Sequence, residues 1–189
     1  MLYTRKGDKG TTKLFDCPQG TRMSKSAVTF EALGTLDELN SSLGYAKVLA
    51  ARSEAHLMMA GEKHLYTSLI GRIQNMLFTT QAELAGAQKQ VTEADVLFEE
   101  QVIAEVEKDL PPITSFIVAG GGETGAYLDV CRTIARRAER GVIDAMETDK
   151  RAVSDETLKF LNRLSSVLYA LARYANHQEG FAERAPEYS

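Results

Sequence analysis

The sequence predicts an all-α fold, a five-helix bundle with an N-terminal Gly/Thr-rich loop. In five successive segments, apolar side chains recur every three or four positions, which places them on one face of a helix. Apart from a short extended apolar stretch at 115–119, no segment has a convincing strand pattern. Each helix therefore carries one apolar stripe, and the stripes can share a single core.

The first predicted helix covers residues 27–51 and the second covers 62–86. Their stripes step by three or four residues: Leu36, Leu39, Leu43 and Ala46 in the first, Leu69, Ile73, Leu77, Thr80 and Leu84 in the second. The third helix runs from an N-cap at Thr92 to about 108, because Leu110-Pro111-Pro112 ends it.

After a glycine turn at 120–122, Thr124 opens the fourth helix, which runs to 147. Ser154 or Asp155 opens the fifth, which runs to 177. The connections at 52–61 and 148–154 are short enough for antiparallel neighbours. We therefore expect one domain over 1–189: a loop at 1–26, the bundle at 27–178 and a tail at 179–189.

Composition excludes several classes of protein. The chain has 189 residues, 44% of them hydrophobic, and a net charge of −4, which suits one soluble domain and disfavours disorder or general nucleic-acid binding. No apolar run is long enough to span a membrane. Cys17 and Cys131 form no metal or redox motif, so we expect reduced thiols and a cytoplasmic protein or one of an organelle matrix.

Charge is concentrated at the N terminus, where residues 1–26 carry six basic and two acidic side chains. The segment Tyr3–Lys13 combines glycines, threonines and cations, which together suit a phosphate group. It lacks the Walker A order. A solvated, mobile arm is the alternative interpretation.

The fourth helix carries a second cationic group. Arg132, Arg136 and Arg140 fall on one face together with Glu139. Guanidinium groups bind phosphate oxygens in pairs, so this face suits a polyphosphate. A surface helix held by ion pairs is the alternative.

Two further polar residues are candidates. Asp37 lies among leucines, so we expect it to be half-buried and paired with an arginine of the fourth helix, whether for a ligand or as a structural salt bridge. Asn162 begins a polar face on the fifth helix and can bond either a ligand or a neighbouring helix. The sequence shows no di-iron or zinc signature and no evident nucleophile or base. If the chain is an enzyme, a bound cofactor can therefore supply the reactive group.

Four segments together resemble the PduO-type ATP:cob(I)alamin adenosyltransferases. They are Tyr3–Thr12, Phe30–Ser41, Cys131–Arg140 and Phe160–Ser165. The resemblance spans almost the whole chain. It implies a five-helix bundle that assembles as a homotrimer with sites between subunits. It also implies transfer of the 5′-deoxyadenosyl group of ATP to the cobalt of cob(I)alamin, with triphosphate released.

The resemblance also assigns roles to residues. Arg132, Asp37 and Arg136 are the expected catalytic residues, with Arg132 paired to Asp37. Phe116, which by sequence alone would be a core residue, is expected with Asp37 at the cobalamin. The expected ATP-binding residues are Thr4, Arg5, Lys6, Gly7, Thr12, Lys13, Lys25, Arg136, Arg137, Glu139, Arg140 and Asn162.

Mg²⁺ is expected on the phosphates, with its protein ligands unknown. A flavoprotein reductase and an adenosylcobalamin-dependent enzyme are further expected partners. Two alternatives to the enzyme stay open: a module that delivers adenosylcobalamin to a dependent enzyme, and a helical protein whose arginine face binds an acidic partner.

Overall fold

The computed structural model describes residues 3–188 and confirms the five helices. They are α1 Val28–Arg52, α2 Tyr66–Leu84, α3 Glu93–Asp109, α4 Glu123–Thr148 and α5 Asp155–Gln178. Two antiparallel ribbons accompany them, β1 Thr11–Thr12 with β2 Met23–Ser24 and β3 His56–Met59 with β4 Glu62–Leu65. No helix in this part of the chain combines the length and apolarity needed to cross a bilayer.

Helix α4 lies in the middle of the bundle. It packs against α1 on one side and α5 on the other, while α2 packs on α1 and α3 packs on α5. The predicted leucines of α1, Leu36, Leu39 and Leu43, are fully buried in this core. Full burial of one such side chain stabilises the folded state by about 1.5–3 kcal/mol relative to leaving it exposed. The apolar stripes therefore hold the bundle together as expected.

Helix starts follow the predicted caps in two cases. Thr92 forms a reciprocal capping box with Asp95, and the Ser154 hydroxyl accepts a hydrogen bond from the Thr157 N–H. Helix α4 starts differently, because Gly122 is its N-cap. Thr124 is buried inside the helix, with its hydroxyl 3.1 Å from that of Ser53.

The second helix is shorter than predicted. Residues 62–65 form strand β4, which pairs with β3 instead of starting the helix. Ala60 and Gly61 have φ angles of 52° and 83°, the left-handed pair that a two-residue hairpin turn requires. Leu65 has extended backbone angles and ends the hairpin, so α2 begins only at Tyr66.

The stretch at 115–119 is an exposed loop without strand pairing, although it is apolar. Phe116 is 81% exposed, so the core position that its sequence context suggested is wrong. Its loop, residues 111–122, joins α3 to α4 outside the bundle. The Val118 N–H donates to the Arg184 carbonyl at 2.9 Å, so the loop is bonded to the C-terminal tail.

The N-terminal segment, residues 3–26, is anchored to the bundle at its middle. Leu14 is buried, and the Phe15 N–H donates to the Ala85 carbonyl at 3.0 Å. Arg151 pairs with Asp16 at 2.8 Å and donates to the Leu84 carbonyl at 3.0 Å. The described part of this segment is thus fixed at the end of α2, unlike a solvated arm.

Glu99 of α3 is fully buried, and neither carboxyl oxygen has a hydrogen-bond partner among residues 3–188. Burial raises its pKa to about 9, whereas the charge of Arg163 lowers it and those of Asp95 and Glu100 raise it. The carboxyl group is therefore protonated in the folded protein at neutral pH.

We predict that Glu99 makes the protein less stable as pH rises. Between the ordinary pKa of 4.5 and the raised value near 9, the unfolded chain releases a proton that the folded chain keeps. This costs about 1.4 kcal/mol of unfolding free energy per pH unit. Glu99→Gln removes that contribution, so the variant gains stability over wild type as pH increases.

Urea unfolding at several values between about pH 5 and about pH 8 measures this difference. The matched control is Glu107→Gln, since Glu107 is an exposed acid of the same helix. Its stability should follow the wild-type pH dependence. An equal pH slope for wild type and Glu99→Gln would show that the carboxyl group is ionised in the fold.

Candidate functional site

The arginines of α4 lie on its outer side, because the residues between them fill the core. Cys131, Ala135 and Ala138 are fully buried, whereas Arg136 and Arg140 are exposed. The Arg140 guanidinium donates to the Arg136 carbonyl at 3.2 Å. Neither guanidinium forms an ion pair with any residue from 3 to 188. The exposed side of α4 thus presents positive charge that the described chain does not neutralise.

Within one chain, Arg132 pairs with a residue other than the predicted Asp37. Its Nε donates to Asp129 at 2.8 Å, one turn earlier on the same helix. Asp37 is exposed rather than half-buried, and it forms no ion pair within residues 3–188. A carboxylate three residues away on the helix is already within reach of Arg132, so Arg132 is paired without a carboxylate from α1 of its own chain. An ion pair between α1 and α4 is formed instead by Glu38 and Arg137, at 2.7 Å.

A groove of about 390 Å³ runs between α4, α5 and the 111–122 loop, and we call it the arginine groove. Its lining includes Phe116, Arg132, Arg136, Ser166 and Tyr169. Three residues singled out from the sequence, Phe116, Arg132 and Arg136, therefore meet in one place. The exposed ring of Phe116 gives the groove an apolar wall beside its two cationic groups.

Tyr169 connects two arginines at this groove. The Cζ of Arg132 lies 5.5 Å from the centre of its ring, and the Cζ of Arg173 lies 5.9 Å away. Both distances allow a cation–π interaction. Partial burial raises the pKa of Tyr169, with smaller effects of Arg173, Glu183, Asp129 and Arg132, so the phenol stays protonated at neutral pH.

Asn162 ties two helices together in this structure. Its side-chain amide donates to the Glu139 carboxylate at 3.0 Å, from α5 to α4. Both groups lie on the same outer side as Arg136 and Arg140, and Asn162 is exposed. The bond is compatible with either role predicted for Asn162, since an exposed amide can also reach a ligand.

The N-terminal segment folds back so that its two basic ends meet. The Lys25 N–H donates to the Gly10 carbonyl at 2.9 Å, and the Lys25 ammonium lies 3.0 Å from where a Cβ on Gly7 would be. A larger residue at position 7 would displace that ammonium group. Arg22 donates to the hydroxyl and the carbonyl of Thr11.

The predicted residues of this segment differ in exposure. Gly7 and Thr12 are half-buried, while the remainder are exposed: Thr4, Arg5, Lys6, Lys13 and Lys25. Four of the exposed side chains are cationic, so the segment is a cationic loop. No hydrogen bond or ion pair between residues 3 and 188 links it to the arginines of α4, so one chain does not join the two predicted halves of the site.

The arrangement can bind anions. Guanidinium and ammonium groups provide charge, and the groove provides an apolar surface. Burial raises the pKa of Cys131 to about 12, so this neighbour of Arg132 remains a thiol. Within the described ranges, no three His, Cys, Asp or Glu residues are grouped as a metal site. Sequence reasoning missed Asp129, although its spacing of three residues from Arg132 was the available signal.

Known proteins that are similar in sequence to this chain are corrinoid adenosyltransferases. The family model described as Cobalamin adenosyltransferase matches residues 2–175. The corrinoid adenosyltransferase MMAB of Bos taurus is 36% identical to this chain, and the matched region covers 97% of this chain and 74% of that protein. The corrinoid adenosyltransferase of Bacillus subtilis is also 36% identical, and the matched region covers 96% of this chain and 90% of that protein.

Solved structures agree with the sequence relatives. A phenylalanine-to-alanine variant of the PduO-type ATP:corrinoid adenosyltransferase from Lactobacillus reuteri, complexed with cobalamin and ATP, has a TM-score of 0.85 and 29% identity, with both chains fully covered. An arginine-to-lysine variant complexed with ATP also has a TM-score of 0.85, at 30% identity, covering 98% of this chain and 100% of that one. The chain belongs to the cobalamin adenosyltransferase family.

Proposed function

We propose that this chain transfers the 5′-deoxyadenosyl group of ATP to the cobalt of cob(I)alamin. The observation that carries the proposal is the arginine groove, where the exposed ring of Phe116 lies beside Arg132 and Arg136. An apolar wall suits a flat macrocycle, and guanidinium groups suit a polyphosphate. Relatives named corrinoid adenosyltransferases, and a similar structure that holds both cobalamin and ATP, support the same activity.

The reaction needs no nucleophile from the protein. The electron pair of Co(I) attacks C5′ of ATP, a Co–C bond forms, and the C5′–O bond breaks to release triphosphate. The protein holds the two substrates together and stabilises the charge of the leaving group. Arg136 is the natural residue for this, because it is exposed in the groove and is not neutralised by a carboxylate in the described chain.

We place ATP between the cationic N-terminal loop of one subunit and the α4 arginines of another. Two features support a shared site: the two groups are not joined within one chain, and both Asp37 and Arg136 are exposed without ion pairs among residues 3–188. A homotrimer would join them and would let Asp37 approach Arg132 or Arg136 of a neighbour. The ATP-binding residues in this proposal are Thr4, Arg5, Lys6, Gly7, Thr12, Lys13, Lys25, Arg136, Arg137, Glu139, Arg140 and Asn162.

For the corrinoid, we assign Phe116 to the lower face of the ring and Asp37 to its orientation. An aromatic ring against the lower face would displace the dimethylbenzimidazole ligand and ease reduction of Co(II). The 81% exposure of Phe116 supports this assignment, because the ring is free to contact a substrate. A flavoprotein reductase would supply Co(I), and an adenosylcobalamin-dependent enzyme in the cytoplasm would take the product.

Mg²⁺ would bind the triphosphate and enter with the nucleotide, since magnesium commonly keeps several waters and takes phosphate oxygens as ligands. Glu139 is the carboxylate closest in sequence to Arg136 and Arg140, and its side chain already accepts from Asn162. Its place at this face makes it the candidate for contact with a hydrated ion.

The direct test is anaerobic. Cobalamin is reduced to Co(I), ATP, Mg²⁺ and protein are added, and the Co(I) absorbance is followed. We expect an ATP-dependent loss of this band and formation of a light-sensitive alkylcobalamin. If Co(I) persists while ATP still stabilises the fold, the chain binds nucleotide without this chemistry, and delivery of adenosylcobalamin becomes the better proposal.

We predict that Arg136→Ala lowers kcat by about 100-fold or more, because it removes a charge that stabilises the departing triphosphate. Since Arg136 is exposed, the variant should fold and assemble as wild type does. The control is Arg52→Ala, which removes an exposed arginine from the last turn of α1. Normal turnover by folded Arg136→Ala protein would refute the assignment of this residue.

For Asp37→Asn we expect the KM for cobalamin to rise about tenfold, which is the effect of weakening one charge-assisted hydrogen bond. The KM for ATP should change little. Glu31→Gln is the matched control, since it neutralises another exposed acid of α1. Steady-state kinetics in each substrate separate the two constants, and an unchanged KM for cobalamin with an unchanged rate would exclude the proposed role.

A further inference from the structure

Arg173 of α5 is a buried arginine that joins three parts of the chain. Only 9% of the residue is exposed. Its Nη2 donates to the Pro111 carbonyl at 3.0 Å and to Glu183 Oε2 at 3.0 Å, and its Nε donates to Glu183 Oε1. Pro111 begins the loop that carries Phe116, and Glu183 belongs to the C-terminal tail. A single guanidinium therefore fastens both segments to α5.

The tail and the Phe116 loop are also bonded to each other and to α5. The Val118 N–H donates to the Arg184 carbonyl, and the Phe181 N–H donates to the Asn176 carbonyl, each at 2.9 Å. Together these segments line a pocket of about 270 Å³ that is open to solvent and whose lining also includes Tyr169. Tyr169 lines the arginine groove as well, so the two spaces share a wall.

Breaking the contact between Arg173 and Glu183 is costly because the guanidinium is buried. A guanidinium removed from water needs a carboxylate with matching geometry, and the two parallel bonds to Glu183 provide one. If the tail leaves, Arg173 loses this partner and keeps the Pro111 carbonyl as its hydrogen-bond acceptor beside the Tyr169 ring. The pair thus favours the arrangement in which the tail is docked and the root of the Phe116 loop is held.

Arg173 also acts on the arginine groove through Tyr169. The ring of Tyr169 is close to both guanidinium groups, with the Cζ atoms of Arg173 and Arg132 at 5.9 and 5.5 Å from its centre. Movement of Arg173 would release the ring, and Arg132 would lose one of its two contacts, the other being Asp129. The line of contacts runs from the tail to a residue of the proposed active site.

We propose that Arg173 is a positioning residue for the corrinoid: its pair with Glu183 fixes the tail and the Phe116 loop and, through Tyr169, orients Arg132. This rests on the proposed function for the identity of the ligand. Its effect falls on cobalamin and not on ATP, because none of these contacts involves the N-terminal loop.

The test uses Glu183→Gln in the full chain, since Glu183 lies in the tail and its loss leaves the bundle core unchanged. We expect the dissociation constant for cobalamin, measured by equilibrium dialysis, to rise about tenfold, as for one weakened bond to a charged group. The dissociation constant for ATP should stay at the wild-type value. Tryptic cleavage after Arg184, without ligands, should accelerate by a similar factor because the tail is released.

The matched control is Glu100→Gln, which removes the carboxylate paired with another arginine of α5, Arg163. It should change neither cobalamin affinity nor cleavage after Arg184. Glu183→Asp keeps the charge, so its cobalamin affinity should lie between those of Glu183→Gln and wild type. Arg173→Lys should bind cobalamin as weakly as Glu183→Gln does, because an ammonium cannot form the two parallel bonds.

Unchanged cobalamin affinity and unchanged cleavage in Glu183→Gln would overturn the inference, as would equal effects in Glu100→Gln. Failure of the proposed reaction can be distinguished from failure of this inference. If wild type binds cobalamin but does not consume Co(I), the proposed reaction is wrong, while the binding and cleavage comparison still decides the role of Arg173.

Discussion

Helix α4 is held between α1 and α5, and this packing decides where its charges lie. Its small and apolar residues, among them Ala135 and Ala138, are used on both sides of the helix to meet its neighbours. The arginine side chains must then project from the remaining, exposed side of the helix. Arg137 reaches Glu38 of α1, Arg132 reaches Asp129, and Arg136 is left without a carboxylate among residues 3–188. A core constraint thus produces the cationic face of α4.

The segments without helical periodicity depend on a few charged contacts. At one end of α4, Arg151 fastens the N-terminal loop through Asp16. At the other end, Arg173 fastens the C-terminal tail through Glu183. Each arginine also donates to a backbone carbonyl, that of Leu84 or Pro111. The rigid bundle therefore positions two irregular segments at opposite ends of the same helix.

The sequence was sufficient to predict the five helices because their apolar spacing reflects burial directly. Leu36 and Ile73 are in the core for the reason that the pattern indicates. The hairpin at 56–65 was missed, since its ribbon is short and its turn depends on the backbone angles of Ala60 and Gly61. The outward position of Phe116 did not follow from its sequence context, because an isolated aromatic residue in a loop has no period; the family resemblance alone pointed to contact with a ligand.

The candidate site was predictable as a set of residues but not as a set of contacts. The positions of Arg132 and Arg136 on one face follow from helix geometry, and the structure places both in the groove. Within one chain Arg132 meets Asp129, three residues earlier on the same helix, and the pairing with Asp37 stays a prediction for the assembled protein. The role of the tail needed the folded chain, because Glu183 and Arg173 carry no motif that links them.

The exposed ring of Phe116 has a thermodynamic consequence. Its apolar surface is hydrated in the free chain, so some of the hydrophobic free energy of the sequence is released only when a ligand covers the ring. Covering apolar surface lowers the heat capacity. Calorimetry at several temperatures would therefore give an increasingly negative binding enthalpy on warming for the ligand that contacts Phe116, and a weaker trend for one held by charge alone.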